Sequence, residues 1–216
     1  MASPNHGDRR GQRAELIVLH YTGMADAAAA RARLCDPASQ VSAHWLIDEA
    51  GRAEALVPED RRAWHAGAGS WQGRDDVNSR SIGIELANPG DRPFPEPQMA
   101  ALERLLAAIM ARWGIAPEGV IAHSDMAPGR KIDPGPRFDW RRLARGGLSV
   151  WPGLTGGAAN PASEAALPPL AESLRRIGYP PLPESLDAFR LRFRPWARGP
   201  EDATDRRLAA ALACGR

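Results

Sequence analysis

The chain has 216 residues, 44% of them hydrophobic and 25% charged, with a formal net charge of +2. That balance fits a globular protein and excludes disordered and collagen-like classes. No apolar run approaches the roughly 20 residues that a bilayer span needs, and interspersed charges with so small a net excess give no nucleic-acid footprint.

Residues 1–13 are polar, with Asn5, Asp8 and Arg9 and no apolar stretch of a secretion signal. The expected compartment is therefore cytoplasmic; a start further upstream that added a signal would move it to the periplasm or cell envelope. Leu16-Ile17-Val18-Leu19 reads as a buried strand with His20 at its end. A helix is predicted over Ala25 to Leu34, and a strand over Ser42 to Asp48 that turns through Glu49-Ala50-Gly51-Arg52 into a second over Ala53 to Val57. In Ser81 to Leu86, Ile82, Ile84 and Leu86 share one strand face, while Gly83 and Glu85 share the other. Glu96 to Trp113 is the longest helix, with Met99, Leu102, Leu106, Ile109 and Trp113 at helical spacing and Gly114 as its stop. Val120-Ile121-Ala122 is a short strand followed by His123.

The composition then changes. Residues 146–165 are rich in Gly, Ala and Pro and read as a linker. Beyond it, Pro168 to Ile177, Pro183 to Phe193 and Pro200 to Ala213 each begin at a proline and have helix length. They predict a three-helix bundle over residues 166–216, small enough to lean on the first domain. Cys35 and Cys214 have no spacing suited to a disulfide framework or a metal site.

His20 and His123 both follow short apolar strands, and Asp133 comes ten residues after His123 in a loop rich in Pro and Gly. Two imidazoles and a carboxylate would make a three-ligand zinc site with an open fourth position, the catalytic arrangement. A histidine at a strand end is more often structural, so spacing alone leaves both readings open. Glu85 lies on the strand face opposite the apolar set, where it is either a surface carboxylate or a general base for an attacking water.

Five segments carry more: LIVLHYTGM from Leu16, VSAHWLIDEAG from Val41, RAWHAG from Arg62, SIGIELAN from Ser81 and IAHSDMAPGRKIDPGPRFDW from Ile121. In this order, over residues 14–145, they resemble the zinc-dependent N-acetylmuramoyl-L-alanine amidases of the AmpD/AmiD type, relatives of the peptidoglycan recognition proteins. The resemblance implies an α/β catalytic domain with a mixed central β-sheet flanked by helices. It implies zinc, Zn2+, held by His20, His123 and Asp133. Phage and animal relatives commonly have cysteine at the third position, so Asp133 places the chain with the AmpD/AmiD branch. The implied reaction is hydrolysis of the amide between N-acetylmuramic acid and L-alanine in peptidoglycan or its soluble muropeptides, in wall recycling or remodelling. Two alternatives are a recognition module that binds peptidoglycan without catalysis and a phage-type wall-lytic endolysin.

The resemblance assigns Glu85 as the proton carrier and Lys131 as the charge that steadies the oxyanion. Of 28 basic residues, 27 are arginine and Lys131 is the only lysine. Codon usage accounts for the arginines but not for where the exception falls, and an ammonium point charge does not interchange with a guanidinium fork. The VSAHW and RAWHAG segments resemble groove-lining ones, which makes His44, Arg62, Trp64 and His65 substrate-binding candidates; core packing is an equal reading for Trp45 and Trp64, and Arg61 is an equal surface cation. Leu174, Gly178-Tyr179, Ala188-Phe189, Asp202, Thr204 and Leu208 follow an order similar to the three-helix peptidoglycan-binding domain, with a plain helical appendage as the alternative.

Overall fold

The computed structural model describes residues 2–153 and 167–214. The chain opens with strand β1 (His6–Gly7), then β2 (Leu16–Tyr21), helix α1 (Ala27–Cys35), β3 (Trp45–Ile47), β4 (Ala53–Ala55), β5 (Arg62–Ala63), α2 (Val77–Arg80), β6 (Ser81–Leu86) and α3 (Glu96–Trp113). It continues through β7 (Val120–Ala122), α4 (His123–Met126) and α5 (Trp140–Arg145), and ends in α6 (Leu170–Ile177), α7 (Ser185–Phe193) and α8 (Ala203–Ala213). Among the described residues the main sheet has the order β4-β3-β6-β2-β7, with β1 paired to β5 beside it. β2, β3, β6 and β7 run parallel and β4 antiparallel, so the sheet is mixed, as expected.

Register divides the sheet into two unlike faces. Leu16, Val18 and His20 stand opposite Ser81, Gly83 and Glu85; Val18 also faces Ile121, and Leu46 faces Glu85. Side chains alternate along a strand, so Ile17, Leu19, Ile82, Ile84, Leu86 and Val120 fall on the other side. There they pack with Met99, Leu102, Leu106 and Ile109 of α3 into one apolar core. Gly114 ends α3 with φ of 68° and its N–H on the Met110 carbonyl, the left-handed cap that glycine adopts without a Cβ clash.

The His20 face is apolar at its near end, where Leu16, Val18 and Ile121 share a core with Leu174, Ile177, Phe189, Phe193 and Leu212 of the C-terminal helices. The Tyr179 ring meets Trp71 edge-on at 5.2 Å. Helices α6, α7 and α8 lay their apolar residues against this end of the sheet in a common core. Ser149 and Val150, placed in the expected linker, are buried; residues 154–165 of that linker lie outside the described residues.

Part of the polar N-terminal segment is interior. Ser3, Asn5 and Arg9 are buried, because their polar groups find backbone partners. Asn5 Nδ2 donates to the Asp36 and Val41 carbonyls, and the Arg9 guanidinium donates to Glu59, Ser79 and Ser81 carbonyls. A polar stretch can thus be interior when each donor is paired. No helix among the described residues is long and apolar enough to cross a membrane.

Candidate metal centre

The carboxyl ends of parallel strands are where an open α/β sheet exposes side chains to a ligand. His20, the penultimate residue of β2, and His123, the first residue of α4 after β7, reach that end from neighbouring strands. The loop after α4 brings Asp133 to them, tied by the Ser124 N–H on the Asp133 carbonyl at 3.1 Å. Nδ1 of His20 and Nδ1 of His123 are 2.9 Å apart, and each is 2.9 Å from Asp133 Oδ2. All three residues are buried.

The outer nitrogens decide what these inner atoms carry. The Ser81 hydroxyl donates to the Val77 carbonyl at 2.6 Å, so toward His65 Nε2, at 3.2 Å, it accepts. Neutral His65 then has a bare Nδ1, which receives the proton of His20 Nε2 at 3.0 Å. His123 Nε2 donates to the Ala66 carbonyl at 2.9 Å. Both Nδ1 atoms are thereby left as lone pairs aimed at one carboxylate oxygen. Three electron-rich atoms in mutual contact repel unless a cation lies among them, so the donor set fits a metal ion. Burial, then the nearby His123 ring, pulls the His20 pKa down to about 4 against the opposing Asp133 charge, and burial with neighbouring imidazoles pulls His65 well below its ordinary value. Both rings are neutral at ordinary pH.

Glu85 stands beside His20 in register. Its Oε2 is buried without a hydrogen-bond partner among the described residues. Burial, reinforced by Asp133 and opposed by Lys131, holds its pKa well above the ordinary carboxylate range. A raised carboxylate pKa suits a group that must both take and return a proton near neutrality. Around it opens a cavity of about 510 Å³ whose walls include Tyr21, Arg33, Trp64, Arg130 and Lys131.

Residues 10–136 match the family described as N-acetylmuramoyl-L-alanine amidase. The amidase AmiD of Escherichia coli is 38% identical across 93% of this chain and 82% of its own length. The chain belongs to the N-acetylmuramoyl-L-alanine amidase family. A solved complex of E. coli AmiD with the substrate anhydro-N-acetylmuramic acid-L-Ala-D-γ-Glu-L-Lys superposes with a TM-score of 0.80 at 36% identity, covering 98% of this chain and 90% of that one. Pseudomonas aeruginosa AmpDh3 in complex with anhydromuramic pentapeptide superposes at 0.82 and 33% identity, covering 98% and 94%.

The amidase's other sequence-predicted residues are placed unevenly. Trp64 lines the cavity, but His44 does not. His44 is wholly buried, accepting the Gly83 N–H at Nδ1 and meeting Arg9 and the Arg61 carbonyl at Nε2; burial takes its pKa down to about 3. Arg62 is held by Asp76 and Ser79, outside the cavity lining. His44 and the Nε and Nη2 atoms of Arg62 are engaged by the protein's own groups away from the cavity. His65 touches the cavity, yet both ring nitrogens are engaged behind His20. A Cβ on Gly83 would lie 2.4 Å from His65 Cγ, so glycine in SIGIEL is what lets that ring lie against the sheet. Trp45 sits on the α3 side, its Nε1 donating to Glu59. Sequence reasoning missed Arg33 and Arg130 as the cationic walls, since one arginine among 27 carries no signal of position.

Proposed function

We propose that this chain is a zinc hydrolase that cleaves the amide joining N-acetylmuramic acid to L-alanine in muropeptides bearing an anhydro-muramic end. His20, His123 and Asp133 hold the metal. Zinc, when bound, polarises the amide carbonyl and lowers the pKa of water at the open position. Glu85 accepts the proton of the attacking water and returns it to the departing alanine nitrogen, work that its raised pKa favours. Lys131 lies on the same wall and offsets the negative charge that develops on the carbonyl oxygen. His65 and Ser81 hold the His20 ring with its Nδ1 bare. Trp64 offers an aromatic face to the sugar or stem, and Arg33 a guanidinium to a stem carboxylate.

The observation that carries this reading is the convergence of two bare Nδ1 atoms on one carboxylate oxygen, beside a Glu85 oxygen with no hydrogen-bond partner among the described residues. The substrate class follows from family membership and from the ligands of the AmiD and AmpDh3 complexes. The test is release of free stem peptide from an anhydro-muropeptide, followed by mass spectrometry during zinc titration. Activity must disappear on chelation and return with zinc; turnover unchanged by chelation overturns the reading.

A further inference from the structure

Helix α7 buries two arginines that face opposite ways. Arg190 pairs with Asp205 of α8, Nη2 to Oδ2 at 2.6 Å, and so closes the C-terminal bundle on itself. Arg192, two residues on, leaves the bundle and reaches the segment that carries His123. Its Nη1 donates to Asp125 Oδ2 at 2.6 Å, and its Nη2 to the Val120 carbonyl and Ser149 Oγ. The guanidinium lies 4.1 Å from the Trp140 ring centroid. From the same bundle, the Tyr179 hydroxyl donates to Asp125 Oδ1 at 2.7 Å. Asp125 is wholly buried, and its Oδ2 also accepts the Ala122 N–H at 2.9 Å, closing the single turn on which His123 is the first residue.

We infer that Arg192 and Tyr179 are positioning residues of the metal centre, and that the C-terminal bundle acts on catalysis by clamping Asp125 and thereby fixing His123. The physical case rests on what a four-residue helix can hold by itself. One turn has almost no intrinsic stability, yet metal affinity demands that a ligand stay within a fraction of an ångström of its place. Asp125 supplies the rigidity by tying the strand end to the turn. A buried carboxylate accepting from only one backbone N–H would be under-paired, and the bundle provides the other two donors. The bundle touches the next stretch of the loop as well: a Cβ on Gly129 would lie 2.9 Å from Glu184 Cγ at the start of α7. Both ends of the segment running from His123 toward Lys131 are thus seated against α7 or its flank.

This inference rests on the zinc reading, and its experiment separates the two. Zinc dissociation constants are measured for the full chain by competition with a chromophoric chelator, alongside thermal unfolding of each zinc-free protein. The variants are Tyr179→Phe, which removes one hydroxyl at nearly constant shape; Arg192→Lys, which keeps the charge but loses the fork; and Arg190→Lys, the control that weakens the other buried pair. The expected result is a measurable loss of zinc affinity for Tyr179→Phe and Arg192→Lys, bounded above by the roughly 10- to 100-fold found when a group bonded directly to a ligand is removed. Arg190→Lys lowers the unfolding temperature but leaves zinc affinity at the wild-type value. Wild-type zinc affinity in both Tyr179→Phe and Arg192→Lys, or an equal loss in Arg190→Lys, overturns the inference while the zinc reading stands. A wild-type chain that binds no zinc overturns both.

Discussion

The two faces of the central sheet are built from the same strands and do different work. On the α3 face Ile17 and Leu19 of β2 and Ile82, Ile84 and Leu86 of β6 are aliphatic, and they pack with Leu102, Leu106 and Ile109. The other face is graded. It begins with Leu16 beside Ser81, passes Val18 and Gly83, and ends at His20 and Glu85. An alternating strand can therefore carry a uniform core on one side and, on the other, a gradient that ends in polar groups lining the cavity. The apolar start of that gradient anchors the strands, and the buried partners His65 and Ser81 fix the His20 ring at its far end.

Substitutions on the two faces should separate chemistry from stability. Glu85→Gln, on the graded face, should lower kcat by at least 10²- to 10⁴-fold with zinc content unchanged, the span attributed to a lost general base; stopped-time peptide release with metal analysis checks it. Lys131→Arg should lower kcat by roughly 10²-fold, the scale of losing one oxyanion donor, again with zinc retained; wild-type turnover would return the lone lysine to the codon habit of the arginines. Leu102→Ala, on the α3 face, should cost about 2–5 kcal/mol of stability and leave zinc affinity and KM unchanged, as urea unfolding and chelator competition would show.

The buried imidazoles sharpen the same contrast through pH. His44 is held near 3 and His20 near 4 in the folded chain, both below their unfolded value. The unfolded chain binds the extra protons between those values and about 6.5, so stability rises with pH across that window and is lost as pH falls through it. Zinc-free protein should lose up to about 1.4 kcal/mol per pH unit per histidine below about 6, measured as urea midpoints. The smallest effect is expected at the cavity rim, where Arg33→Ala should raise KM several-fold, on the order of 1 kcal/mol of binding, with kcat intact.

The sequence makes some of this architecture plain and hides the rest for identifiable reasons. The bounds of β6, α3 and β7 follow from periodicity and stop signals, and the structure gives Ser81–Leu86, Glu96–Trp113 and Val120–Ala122. Each of those elements buries a full apolar stripe, which is what periodicity detects. His20, His123 and Asp133 are brought together as their strand-end and loop positions suggest. His44 and His65 could not be sorted by pattern, because an imidazole facing a ligand and one buried behind a ligand occupy the same kind of strand-edge segment. Arg192 and Asp125 lie 67 residues apart, and nothing local distinguishes Arg192 from Arg190. The burial of Ser3, Asn5 and Arg9 is not legible because polar composition does not record which backbone carbonyls wait to be paired.

The central claim is that His20 and His123 present bare Nδ1 atoms, with Asp133, to a zinc ion. X-ray diffraction from zinc-loaded crystals, with data on both sides of the zinc absorption edge, tests it directly. An anomalous peak is expected at about 2.0–2.2 Å from His20 Nδ1, His123 Nδ1 and the Asp133 carboxylate, with His65 still bonded to His20 Nε2. A peak bound through the Nε2 atoms, or no peak at this site in crystals that retain activity, would contradict it.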